Sequence, residues 1–271
     1  MLFWTIVIVP LLAIILHTQT NYLKPLQDLV FVTIYKRLLP GQEEGLAEVK
    51  TSLFQDLGNR VLELGPGPVP ALTYAKDTSD VEAYVVLEPN SHMYSDLADV
   101  AAKYGFMASF VPALDTANSD SRNAAAGEDQ ARPLTVVEGT LDSNAVPLAV
   151  SANAPYDTVI SSLVLCSVRD MQRTLDHIQS LLKPGGRFIF LEHVRHNTRR
   201  QPNKAWWARF QSAISPVWSF FLGNCHLDRP TDVVIQNMNG WSEVDVKYHK
   251  PKSNTMWNSL IPMVYGYAIK A

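Results

Sequence analysis

The 271 residues, 47% of them apolar, are enough for one large α/β domain with appendages, and the formal charge of -3 gives no general attraction to nucleic acid. Two cysteines, Cys166 and Cys225, are too few for a disulfide framework and fit a reducing compartment.

Residues 1–16, MLFWTIVIVPLLAIIL, carry no charged side chain. As a helix they reach about 24 Å, and the following HTQT brings the span close to the ~30 Å of a hydrocarbon core. No basic segment precedes this run and no small-x-small cleavage site follows it, so it reads as a retained anchor over 1–23, kinked at Pro10, rather than a removed leader. A buried N-terminal helix is the alternative. Lys24, Lys36 and Arg37 flank it on the C-terminal side, which predicts that the rest of the chain faces the cytoplasm. Residues 24–54 are expected to be an amphipathic linker or helix, with YLKPLQDLVFVTIYKRLLP adding an interfacial helix or half-hairpin and 42–57 carrying Leu46, Val49, Leu53, Phe54 and Leu57 near helical spacing.

From there strands alternate with helices. RVLEL, AYVVLEPN, LTVVEGT, YDTVISSLVL, GRFIFLEHV, SEVDVKYH and VYGYAIKA read as strands, with helices at SHMYSDLADVAAKYG and RDMQRTLDHIQSLLKPGG. This predicts an α/β fold over 55–271, a Rossmann-like, doubly wound, mostly parallel sheet of seven strands preceded by a hydrophobic membrane-anchor helix. The Ala/Ser/Asn-rich stretch 115–132 reads as a mobile insertion without chemistry.

The first strand runs into VLELGPGPVP, residues 61–70. In such a sheet ligands lie beyond the carboxyl ends of the strands, where Gly65 and Gly67 would fall. Glu88, ending the second strand about 20 residues later, stands where an acid bonds a ribose diol. A dinucleotide site would want G-x-G-x-x-G and free amides, which Pro66, Pro68 and Pro70 remove. A ligand with a ribose and no pyrophosphate fits. S-adenosylmethionine is such a ligand.

VLELGPG, VVLEPN, SSLVLCSV and LLKPGGRFIFLEHV, in that order, resemble a class I S-adenosylmethionine-dependent methyltransferase. Together with GNCHLDR, the terminal YGYAIK and the apolar N-terminus, they resemble the membrane-anchored methyltransferase-like enzymes that methylate alkyl thiols. The third glycine of the family's first motif is Val69 here. The resemblance implies S-adenosyl-L-methionine as cofactor, held by Glu63, Gly65, Gly67 and Glu88, by Thr140, Leu141 and Asp142 around the adenine, and by Ser162 and Leu163 beside the sulfonium. It also implies a membrane setting, the endoplasmic reticulum or lipid droplets. Glu63 acting only as a cap on backbone amides, and Cys166 acting only as a packing residue, are the plainer alternatives.

His193, at the carboxyl end of the predicted fifth strand, is the candidate general base, with a histidine that only orders the strand end by hydrogen bonding as the equal alternative, and Cys166 is the second candidate on the catalytic side. No metal is expected, because His226 next to Cys225 is unlike the usual zinc spacings and no second cluster completes a set. Residues 199–223 hold Trp206, Trp207, Phe210, Trp218, Phe220 and Phe221, too many aromatics for a polar connection, which points to an apolar pocket cover or a bilayer contact. The expected function is methyl transfer to a small lipophilic acceptor, a thiol first. O- or C-methylation of a lipid or quinone-like acceptor, and a non-catalytic cofactor-binding scaffold, are the alternatives.

Overall fold

The computed structural model describes residues 24–112, 132–251 and 255–271. The anchor expected over 1–23 and most of the insertion expected over 115–132 lie outside these residues. In chain order the elements are α1 (Lys24–Phe54), β1 (Arg60–Leu64), β2 (Ala83–Leu87), α2 (Tyr94–Lys103), β3 (Phe106–Val111), β4 (Arg132–Val137), α3 (Leu148–Ser151), β5 (Tyr156–Ser162), α4 (Met171–Leu181), β6 (Leu182–His193), α5 (Ala205–Phe221), α6 (Thr231–Asn237), β7 (Trp241–Tyr248), α7 (Met256–Leu260) and β8 (Met263–Lys270).

They form one sheet in the order β3-β4-β2-β1-β5-β6-β8-β7, with β1 to β6 parallel and β8 antiparallel to both its neighbours. The chain leaves β1 for β2 on one side and returns to β5 on the other. The switch point, and the crevice that goes with it, therefore lies beyond Leu64 and Ser162. Alternation along each strand divides the core. Val61, Val86, Ile160 and Ile189 face a cluster with Phe54 of α1 and Leu97 of α2, while Leu62, Val85, Val159 and Phe188 face one with Leu175 and Ile178 of α4 and Ile235 of α6. Every β1 residue after Arg60 is buried, as a strand covered on both faces requires.

Two expectations are corrected. The sheet has eight strands, not seven. β3 has little alternation to read, because Phe106 alone is buried in it while Met107 and Phe110 are exposed, and as an edge strand it pairs with β4 only. The segment 24–54 is one helix that carries Pro40 inside it, not an interfacial piece followed by a separate helix. Tertiary contacts override the proline: Leu46 and Phe54 are buried, Lys36 bonds Asp96 of α2 at 2.6 Å, and Glu43 accepts from both Lys50 and the Tyr74 hydroxyl. Among the described residues no helix is long and apolar enough to cross a membrane.

Candidate active site

Beyond β1 the chain turns through Gly65 (φ +49°) and Gly67 (φ +61°), a left-handed backbone that favours glycine. The Gly65 amide donates to Leu87 O at 2.8 Å, locking the turn against β2. The space over the turn is narrow. A Cβ on Gly65 would meet Val164 at 3.0 Å, and one on Gly67 the Tyr35 ring of α1 at 3.3 Å.

Glu63 does not face that space. It is 1% exposed and accepts from the Ala71 amide at 2.8 Å and the Tyr84 hydroxyl at 2.5 Å, so its carboxylate holds the far end of the proline-rich turn. Burial lifts it to about 7, against the pull of those bonds. Glu88 behaves differently. Its carboxylate accepts from the Gly67 amide at 3.2 Å and the Asn90 amide at 2.9 Å, so turn and acid are one unit. Burial lifts it too, to about 7. Beyond β4, Leu141 is buried and Thr140 bonds Asp142, whose other oxygen accepts from the Arg169 amide at 2.5 Å. The hydrogen bonds of that trio run toward the start of α4 rather than to the glycine turn.

The end of β5 is strained. Leu163 has φ +62°, costly for a residue with a Cβ, and its amide donates to Leu191 O at 2.8 Å. Ser162 pairs with Leu191 in the ladder beside it. Glu192, fully buried, secures this bend as Glu63 secures the other: its Oε1 accepts from Ser161 Oγ at 2.6 Å and from the Val164 and Leu165 amides at 3.2 and 3.1 Å. Val164, the residue over Gly65, is thus two positions from Cys166, whose Sγ lies 3.4 Å from Leu163 O.

Cys166 and His193 come together, and Cys225 joins them. The two sulfurs and a ring nitrogen of His193 lie within 4.8 Å of one another. His193 Nε2 is 2.9 Å from Cys225 Sγ, and the Trp218 indole N–H donates to the same sulfur at 3.3 Å. In the tautomer that donates from Nε2, Nδ1 keeps its lone pair, and Nδ1 is buried with no partner. Interaction with the Cys166 thiol pulls Cys225 below its usual range, burial opposing and the Trp218 bond assisting. Cys166 is pushed well above its range by Cys225 and by burial. Burial works against a charge on His193, but the neighbouring Cys166 and Glu192 prevail and hold it above its ordinary value.

Helix α5 places Trp218. Its buried face carries Gln211 and Ser215, i and i+4, and Trp218 follows at i+7. Gln211 donates to Val194 O at 3.1 Å and Leu260 O at 2.9 Å, and Ser215 bonds Asp228 at 2.8 Å, so the helix has one rotational setting over the end of β6. Of the other aromatics of the segment, Trp206 and Phe221 are exposed, Trp206 at 62% and stacked on Phe210, while Trp207, Phe210 and Phe220 are half-buried. Helix α1 crosses both regions: Tyr35 stands at Gly67, Phe31 stacks on Tyr35 and lies against Gly223, and Gln27 donates to Phe220 O at 2.7 Å. Sequence reading missed Tyr35, Trp218 as a polar donor and Cys225 as a partner of His193. GNCHLDR drew attention to Cys225, but its neighbour His226 bonds Asn224 instead.

A family profile described as a methyltransferase domain matches residues 37–223. The chain belongs to this methyltransferase family. The human thiol S-methyltransferase TMT1A is 30% identical over 119 residues, 44% of this chain and 46% of that protein, and the rat TMT1B 33% over the same length and shares. The match thus spans about half the length of these curated relatives. An S-adenosylmethionine-dependent methyltransferase from Mesorhizobium loti superposes with a TM-score of 0.52 at 13% identity, covering 83% of this chain and 98% of that one, a likeness of fold. The turn beyond β1 has the features that would suit S-adenosylmethionine: two left-handed glycines where a Cβ has little room, and a buried carboxylate bonded to the second.

Proposed function

We propose that the protein transfers the methyl group of S-adenosylmethionine to the sulfur of a small lipophilic thiol. The observation that carries this reading is the Cys166, His193 and Cys225 cluster next to the strained end of β5. Among the described residues it is the one group of three or more potential ligating side chains, and it is sulfur and imidazole, not the carboxylate set that a hydroxyl-activating hard cation takes. Similarity to thiol S-methyltransferases supports the same acceptor.

Gly65, Gly67 and Glu88 bind the cofactor in this reading, Glu88 accepting from the ribose, while Thr140, Leu141 and Asp142 border the adenine and Ser162 and Leu163 the methyl-bearing end. Glu63 acts by holding the turn. The cofactor when bound supplies an electrophilic methyl on a sulfonium. His193 Nδ1 takes the acceptor's proton, and the imidazolium so formed keeps its Nε2 bond to Cys225. A thiol with a pKa near 8.5 needs only this modest help, whereas an aliphatic alcohol would need a far stronger base. Holding the acceptor in line with the methyl and excluding water contribute more than the base. Trp218, Phe31 and Tyr35 supply the apolar walls.

Residues 1–23 serve as a membrane anchor, with 55–271 as the catalytic domain in the cytoplasm and α1 docked on it. The exposed Leu26, Leu29, Trp206 and Phe221 on α1 and α5 are the kind of surface that rests on a bilayer.

The deciding experiment is a radiolabelled methyl-transfer screen with matched alkyl thiols, alcohols and phenols. S-methyl product well in excess of O-methyl product is expected. O-methyl product formed from the alcohol at the thiol's rate would overturn the thiol assignment and leave the cofactor assignment standing. For the anchor, deletion of 1–23 should release a folded, cofactor-binding protein from membranes; a deletion variant that still floats with them after a carbonate wash would refute a sole anchor there.

A further inference from the structure

The catalytic reading uses His193 but leaves two sulfurs side by side in dissimilar settings. Cys225 is half-buried, its sulfur receives the Trp218 indole N–H and lies 2.9 Å from His193 Nε2, and in the tautomer that donates from Nε2 this is the setting of a stabilised thiolate. Cys166 is 1% exposed, and its sulfur faces a carbonyl and a hydroxyl, the setting of a thiol that keeps its proton. The His226 amide donates to Cys166 O at 2.8 Å, which clamps the backbone next to Cys225 onto Cys166, and the two sulfurs lie within 4.8 Å. Cys225 follows a tight left-handed turn, Gly223 (φ +60°) and Asn224 (φ +67°), rather than a helix or strand, so closing that gap to a bond length of ~2 Å asks for side-chain rotation and a small loop shift.

We propose that Cys225 and Cys166 are an exchange couple that reduces small disulfides, Cys225 attacking and Cys166 resolving. The substrate class rests on the thiol reading, since a pocket that admits a small thiol admits one end of the disulfide of that thiol. The Cys225 thiolate attacks one sulfur of R–S–S–R; a Cys225–S–S–R bond forms, the R–S–S–R bond breaks and RS⁻ departs. Cys166 then attacks the Cys225 sulfur. The Cys166–Cys225 disulfide forms, a second RS⁻ leaves, and one of the two takes the Cys166 proton. The protein's two sulfurs are oxidised, the small disulfide is reduced, and two methyl acceptors are released at the acceptor site. The oxidised protein lacks the sulfur partner of His193 and recovers it on reduction by an external thiol.

The test incubates the reduced full-length protein, without cofactor, with bis(2-hydroxyethyl) disulfide, followed by acid quench, thiol counting and non-reducing peptide mass analysis. Two thiols released per chain and a peptide linking Cys166 to Cys225 are expected. Cys166→Ser should stop after one thiol with a hydroxyethylthio adduct on Cys225, and Cys225→Ser should react at least about 100-fold more slowly. Three results would overturn the couple: Cys225→Ser reacting at the wild-type rate, the wild type halting at the Cys225 adduct with Cys166 free, or one equivalent of metal retained on the cluster after purification, which would occupy both sulfurs. Methyl transfer to 2-mercaptoethanol by the reduced wild type, measured in parallel, separates the two readings. Thioether without exchange refutes the couple alone, and exchange without thioether refutes the thiol assignment alone.

Discussion

At the end of β1 a buried glutamate, Glu63, holds the following turn by accepting from Ala71 N and Tyr84; at the end of β6 another, Glu192, holds the bend after β5 by accepting from Ser161, Val164 N and Leu165 N. The two halves of the crevice differ in where partners come from. Around the β1 turn, the proposed cofactor side, Glu63 and Gly67 each find theirs 21 residues away, in Tyr84 and Glu88. Beyond β5 and β6, the proposed acceptor side, His193 meets Cys225 across 32 residues, and Arg229 reaches Leu165 O across 64. One half is a single supersecondary unit; the other exists only once the sheet has closed around it. The predictions below ask whether the halves separate in function as they do in construction.

The largest effect is expected at Gly67. Gly67→Val places a β-branched residue at φ +61° and a Cβ 3.3 Å from Tyr35. Strain of about 1–3 kcal/mol and loss of the space over the turn should weaken S-adenosylmethionine by about 100-fold in calorimetry, with an unchanged circular dichroism spectrum. Normal affinity in that variant would remove the turn from the cofactor half.

Glu88 comes next. Glu88→Ala should cost about 1.5–3 kcal/mol of cofactor affinity, one charge-assisted bond. A pH series sharpens this. Burial lifts the Glu88 carboxyl to about 7 in the folded protein, so there it keeps a proton that the unfolded chain has already lost. Its contribution to stability therefore falls as pH rises from the ordinary carboxylate value through 7. Cofactor affinity should move the other way, rising between about pH 6 and 8 as the carboxylate becomes able to accept from the ribose. Glu88→Gln should flatten that rise, and a wild-type affinity independent of pH over this window would exclude the bond.

The meeting of the β1 turn with Glu88 was legible in the sequence because its parts are close together and each carries a local sign: an apolar strand, glycines among prolines, an acid ending the next strand. Five of the six parallel strands were also legible, and β3 was lost because an exposed edge strand has little burial to pattern it. Helix α1 was read as two pieces because Pro40 is a local signal and its docking through Glu43, Leu46 and Phe54 is not. Cys166 and His193 were legible singly, as side chains at strand ends. Their meeting with Cys225 was not, since Cys225 reaches them through the setting of α5, fixed by Gln211 and Ser215, whose partners Val194, Leu260 and Asp228 lie far apart in the chain.

On the acceptor side His193→Ala should lower thiol methylation at pH 7 by about tenfold and by less at pH 9, where the free thiolate is abundant, with cofactor affinity intact. The sign follows from the role. The variant lacks a proton acceptor, and rising pH supplies an acceptor already ionised. An equal loss at both pH values would reduce His193 to a structural partner of Cys225.

The smallest effect is expected at Trp218, and it is the sharpest on the comparison. Trp218→Phe removes the indole N–H that lies 3.3 Å from Cys225 Sγ while keeping an aromatic ring edge-on to Trp257, 5.7 Å away. Cys225 is held low first by Cys166 and then, against burial, by this bond, so losing the bond should raise the thiol, read as a higher midpoint for thiolate absorbance in the ultraviolet. One hydrogen bond to a sulfur acceptor is worth about 0.5–1 kcal/mol, which predicts a kcat lower by about threefold. S-adenosylmethionine affinity should not move, because the Trp218 indole meets Cys225 and Trp257 rather than Gly67 or Glu88. If cofactor affinity instead falls together with kcat, the two halves are coupled through Tyr35 and Phe31 of α1, the residues that touch both, and the crevice works as one unit despite its two constructions.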